Sequence, residues 1–81
     1  MTDISLVLKL RKRLSKEYEI IRSIIINDAF VFIVKAKDKQ HYMIKVFRGF
    51  KEVKTIHMDR EMIDKYVVRN EPIDTLKLLT T

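Results

Sequence analysis

The fold of this chain is decided by the stretch FVFIVKAKDKQHYMIKVF, which spans residues 30–47. Its two ends, residues 30–37 and 42–47, are rich in the β-branched and aromatic residues that favour strands. Residues 38–40 interrupt the apolar pattern, so the stretch predicts a β-hairpin. A three-residue loop there would bring matching faces of the two strands to one side of the sheet. The core predicted on that side contains Phe32, Val34, Ile44 and Val46, packed against Leu10 and Leu14.

Helical periodicity precedes the hairpin. From Ile4 to Tyr18, apolar residues recur at spacings of three and four, which predicts a helix that ends near residues 16–18. Thr2 or Asp3 can cap this helix, because a short side-chain oxygen accepts a hydrogen bond from a free helical amide. The Ile-rich residues that follow, 19–26, predict a strand.

Three segments follow the hairpin. Residues 52–57 fit either a fourth strand or a loop. Asp59 opens a second helix, which Asn70 and Pro72 end. Residues 73–79 fit a short helix or a last strand, and we favour the helix. This order predicts an α+β fold, with an N-terminal helix, a three- to four-stranded antiparallel meander and a C-terminal helix or helices.

Composition narrows the class of protein. With 47% apolar residues, one Gly and one Pro, the chain fits a single domain over residues 1–81. It has no Cys and two His, so we expect no disulfide, no metal and no cofactor. The first residues do not form a signal peptide and no apolar run could span a bilayer, so we expect a cytoplasmic protein. So short a chain with apolar residues on both sheet faces also predicts a homodimer.

The charge of the chain is positive and uneven. Net charge is +6, and residues 1–58 carry 13 Lys and Arg against 6 Asp and Glu, whereas residues 59–81 carry 4 against 5. Helical spacing predicts a basic face on the first helix, with Arg11 at its margin, and such a face can bind phosphates. We therefore expect a small non-enzymatic binding or regulatory module, associated with nucleic acid through Lys9, Lys12, Arg13 and Lys16.

Other functions fit the same residues. The apolar sheet face favours a protein–protein module, such as an inhibitor, adaptor or assembly subunit, and the composition would suit a phage or mobile-element protein. The basic face could bind an acidic protein, lie on an anionic membrane, or be simply solvated.

Sequence motifs of enzymes are missing. One Gly cannot build a phosphate-binding loop, and neither G-x-S-x-G nor H-E-x-x-H occurs. Asp59, Glu61 and Asp64 fall in the first turns of the second helix, where the helix dipole favours carboxylates without any catalytic role. The pattern therefore predicts that the protein is not an enzyme.

Residues 30–48 resemble the second and third strands of a protein-kinase N-lobe. Lys45 would match the lysine of the V-A-I-K motif, and Glu61 the glutamate of the following helix. Residues 26–29 stand where the glycine loop should lie, and neither an H-R-D loop nor a D-F-G motif follows. The resemblance covers about a quarter of the chain and implies no kinase activity.

Overall fold

A computed structural model describes residues 4–26, 29–38 and 40–74. These residues form a helix, a four-stranded antiparallel sheet in the order β1-β2-β3-β4, and a short second helix that continues into a π-helical turn. The predicted α+β class and element order are confirmed, and residues 52–57 lie in a strand. The elements are α1 (Ile4–Leu14), β1 (Tyr18–Ile26), β2 (Ala29–Ala36), β3 (Tyr42–Arg48), β4 (Lys51–His57), α2 (Arg60–Ile63) and the π turn (Asp64–Val68).

Helix α1 covers one face of the sheet. Its apolar stripe, Val7, Leu10 and Leu14, is buried because the three side chains follow each other at helical spacing. The sheet residues of this core are contributed by β2 and β3, and they are Phe30, Phe32, Val34, Met43 and Phe47.

The other face is covered by α2, the π turn and the segment after it. The buried residues of this second core are Val31, Ile33, Ile44, Val46 and Met58. Apolar side chains from the C-terminal elements pack against them, namely Met62, Ile63, Tyr66, Val67 and Ile73. Because the chain covers both faces itself, the sheet-face argument for a homodimer loses its basis.

The predicted facing of the hairpin strands is wrong. Ile33 pairs with Ile44 and Val34 with Met43, so Ile44 and Val46 lie on the face opposite Phe32. The amide of Ala36 donates to the carbonyl of His41 at 2.9 Å, so the loop between the two strands contains four residues, 37–40, instead of the predicted three. Since side chains alternate along a strand, a change of one residue in loop length exchanges the two faces of β3.

A bulge in β1 shapes the second core. The register shifts between Ile20 and Arg22, so Ile21 and Arg22 both lie opposite Ile33 and point towards the C-terminal elements. The guanidinium of Arg22 donates to the carbonyl of Glu71 at 2.9 Å and to that of Tyr66 at 3.5 Å. Arg22 thereby holds the end of the π turn against the sheet.

The ends of the C-terminal helical segment are where the sequence predicts them. The Oδ1 of Asp59 accepts a hydrogen bond from the amide of Met62 at 2.8 Å, which caps α2. Asn70 adopts a positive φ of 54° just after the π turn, a conformation that Asn tolerates at helix ends. Ile73 and Asp74 have no regular structure, and the rest of the segment expected to be helical lies outside the described residues.

No helix in the described ranges is long and apolar enough to cross a membrane.

Candidate nucleic-acid interface

The outer face of α1 is set by its buried stripe. At about 100° per residue, Lys12 lies roughly opposite the mean direction of that stripe, and Lys9 lies about 130° from it. Both side chains are exposed, as is Lys16 in the turn after the helix. The helix itself contains no acidic residue. Neither Lys9 nor Lys12 forms an ion pair within the described part of the chain.

Arg13 differs from the other three predicted residues. It is exposed, but it lies on the flank of α1, about 90° from the buried stripe. Its Nη1 donates to the carbonyl of Phe50 at 3.4 Å, which ties α1 to the turn between β3 and β4. Arg13 therefore has a structural contact in addition to its place in the basic face.

Cations outside the predicted set extend this face. A shallow cleft of about 440 Å³ lies between α1 and the ends of β1 and β2, and it is lined by three cations, Arg11, Lys12 and Lys37, and by one carboxylate, Glu19. Arg11 and Lys37 are exposed. Lys37 is 25 positions from Lys12 in the chain, so only the packing of α1 on the sheet brings the two together.

A second cleft, of about 360 Å³, lies on the opposite flank of α1. Arg13 and Lys16 line it from the helical side, Tyr18 from β1, and Lys45 and Glu52 from the sheet. Glu17 lines the cleft as well, so its lining carries three positive and two negative charges.

Lys45 is the buried charge of this cleft. Its side chain is 9% exposed, and its Nζ lies 2.5 Å from Oε1 of Glu52. The Nζ also lies 3.3 Å from Oγ1 of Thr55 and 5.2 Å from the ring centre of Tyr18. The hydrogen bond from Lys45 holds the pKa of the Glu52 carboxyl below its ordinary value of 4.5. Partial burial raises this pKa but does not outweigh Lys45, and Thr55 and Arg13 lower it further by smaller amounts. The ammonium is thus paired and held by the protein.

This pairing does not match the kinase resemblance. The glutamate that binds Lys45 comes from β4, on the α1 side of the sheet. Glu61 lies in α2, an element that packs on the other side of the sheet. Asp64, another of the clustered carboxylates, pairs with Arg69 at 3.2 Å, and Asp59 caps α2.

Two histidines meet at the end of the sheet. His57 lies opposite Met43 in the β3–β4 ladder, and His41 precedes Met43 by two residues, so both imidazoles lie on the α1 side. The Nε2 of His41 is 2.6 Å from Nδ1 of His57. Sixteen positions separate the two in the chain, and only the β3–β4 register reveals that they are neighbours.

The comparisons with known proteins give no relative. No family model, no curated protein and no solved structure matches the chain. The function must therefore be argued from the geometry of these residues.

Proposed function

We propose that this protein is a small, non-enzymatic module that binds nucleic acid through the outer face of α1. The observation that carries the proposal is a surface helix with four cations in five positions, Lys9 and residues 11–13, and no carboxylate of its own. A purely solvated helix usually mixes both signs, because paired charges stabilise it and single-sign clusters repel.

Phosphate contact explains why the cations are mostly Lys. A Lys ammonium is a flexible point charge that binds a phosphate without reading a base, whereas base recognition favours the planar fork of Arg. Lys9 and Lys12 lie on the outer side of α1, Lys16 is exposed in the turn after the helix, and Arg11 and Lys37 continue the positive surface along one flank. Binding should therefore tolerate any sequence and should weaken steeply with salt.

The test is a salt series of binding to mixed-sequence DNA and RNA. We expect the double variant Lys9→Glu/Lys12→Glu to bind all sequences more weakly than the parent. It should also flatten the slope of log affinity against log salt by about two units on duplex DNA, at roughly 0.9 per lost contact. Folding should be unchanged, because both side chains are exposed and the buried stripe is intact.

The matched control is Arg60→Glu/Lys65→Glu. Both residues are exposed and lie in the elements that cover the other side of the sheet. Each double variant lowers the formal net charge by four, from +6 to +2. The proposal fails if the parent binds neither DNA nor RNA at low salt, or if both double variants lose affinity equally.

A protein–protein module is the second candidate, and its specific support is the apolar surface left at the flank of α1. Ile4 is 67% exposed and Leu8 is 61% exposed, and they are one helical turn apart. A second copy of the chain is the simplest partner for such a patch. If the parent dimerises and Leu8→Lys abolishes the dimer, this second function gains support.

A further inference from the structure

The histidine pair at the end of the sheet is not explained by nucleic-acid binding. His41 and His57 lie diagonally across the β3–β4 ladder, a position from which long side chains on one face reach each other. The ring centres are 4.8 Å apart and the ring planes are inclined by 38°. The facing atoms are Nε2 of His41 and Nδ1 of His57.

We propose that His41 and His57 form a two-imidazole chelate for a divalent transition-metal ion of the Cu²⁺, Ni²⁺ and Zn²⁺ group. Neutral imidazole nitrogen is a preferred ligand of these ions. Without metal, one of the facing nitrogens donates its proton to the other at 2.6 Å. A bound ion would replace this hydrogen bond, because the ring nitrogens that face away make no hydrogen bond within the described residues and can carry the protons instead.

The distance between the facing nitrogens fits this role after a small adjustment. Metal–nitrogen bonds of about 2.0–2.1 Å with an angle between 90° and 109° require nitrogens about 2.9–3.4 Å apart. The present separation of 2.6 Å must therefore widen by less than about 1 Å. His57 is exposed and His41 half-buried, so a small side-chain rotation can supply this change.

The rest of the coordination sphere would be open. Among the described residues, no group of three or more His, Cys, Asp or Glu side chains could hold a metal ion together. The nearest carboxylate along the chain from His57 is that of Asp59, whose Oδ1 is already bonded to the amide of Met62. Water would complete the sphere, and without second-shell partners the ions should bind in the order Cu²⁺ above Ni²⁺ or Zn²⁺.

The experiment is a calorimetric titration of the full-length protein with CuCl₂, NiCl₂ and ZnCl₂ at pH 7.5. We expect one ion per chain. We also expect His41→Ala and His57→Ala each to weaken binding at least about tenfold, since loss of a second-shell partner alone costs about 10–100-fold. The double variant should bind at least as weakly as either single variant, because one remaining imidazole can hold the ion by a single bond only.

Proton spectra locate the ion independently. Ni²⁺ should broaden the imidazole signals of both histidines before any others. The control is Asp38→Asn, which removes an exposed carboxylate of the β2–β3 loop and keeps both imidazoles. The proposal is overturned if the histidine variants bind like the parent, or if Asp38→Asn lowers affinity as much as they do. It is also overturned if Ni²⁺ broadens only one histidine.

Discussion

The buried ion pair of the sheet provides the sharpest test of the packing. Lys45 is almost fully buried, and its ammonium contacts Glu52, Thr55 and the ring of Tyr18. The Glu52 side chain is 40% exposed and keeps contact with water. Removing the partner and removing the buried charge should therefore have different effects on the free energy of unfolding.

The expected magnitudes follow from this difference in burial. Glu52→Gln leaves a buried ammonium without its counter-charge. Hydrogen bonds to charged groups are worth about 1.5–3 kcal/mol, and solvent at the exposed carboxylate reduces this, so we expect a loss of about 1–2 kcal/mol. Lys45→Met replaces the charge by an apolar chain of similar length near Leu14 and Phe47, which often costs little. We expect a change within about 1 kcal/mol for Lys45→Met, and Lys45→Met/Glu52→Gln should resemble it.

Urea unfolding followed by circular dichroism at pH 7 measures all three variants. The reasoning is refuted if Lys45→Met destabilises more than Glu52→Gln, because Lys45 would then stabilise the fold through contacts other than this pair.

The pair also predicts a dependence on pH. The folded-state pKa of Glu52 is lowered from 4.5, so its ionised form stabilises the native state. This contribution is complete above about pH 4.5 and is lost as the pH falls through the lower folded-state pKa. The Glu52→Gln variant should therefore lose less free energy of unfolding than the parent as the pH falls through this range. Equal acid sensitivity in the parent and the variant would contradict the assignment.

Four further predictions concern the fold and its assembly. Gly49→Ala should cost about 1–2 kcal/mol in urea unfolding, because Gly49 has a φ of 61° and nothing lies within 4 Å of an added Cβ; a neutral result would refute a conformational origin. Arg22→Ala should cost about 1–2 kcal/mol through the lost hydrogen bond to the Glu71 carbonyl, and hydrogen exchange should rise in the π turn rather than in β3. Val34→Asp should abolish cooperative unfolding, since Val34 is fully buried and an unpaired charge there costs several kcal/mol. The homodimer predicted from the sequence now rests on the exposed Ile4 and Leu8 of α1 alone, and a clean monomer by light scattering at roughly tens of micromolar would contradict it.

The sequence predicts the elements better than their faces. The helical spacing of Val7, Leu10 and Leu14 identifies the buried side of α1, and Asp59 and Asn70 mark the ends of the last helical segment. These signals are local, so a single segment contains all the information needed to interpret them.

The facing of β3 could not be predicted in the same way. Residues 37–41 are all polar, so a loop of three residues and a loop of four fit equally well. Because both faces of the hairpin are apolar, the hydrophobic pattern does not select the register either. The salt bridge of Lys45 and the histidine pair depend on a second register, that of β3 with β4, and the β2–β3 loop decides only that both lie on the α1 side of the sheet.

The contacts of Arg13 decide how the basic face must be tested. An Arg13→Glu change would remove the hydrogen bond to Phe50 and place a carboxylate in the cleft that already holds Glu52. Loss of nucleic-acid affinity in that variant could come from a displaced helix as easily as from a lost phosphate contact. Lys9 and Lys12 have no such contact in the described part of the chain, so their removal changes charge alone. A loss of affinity in Lys9→Glu/Lys12→Glu, with an unchanged unfolding midpoint, therefore assigns the interface to the outer face of α1 and not to the cleft beside β4.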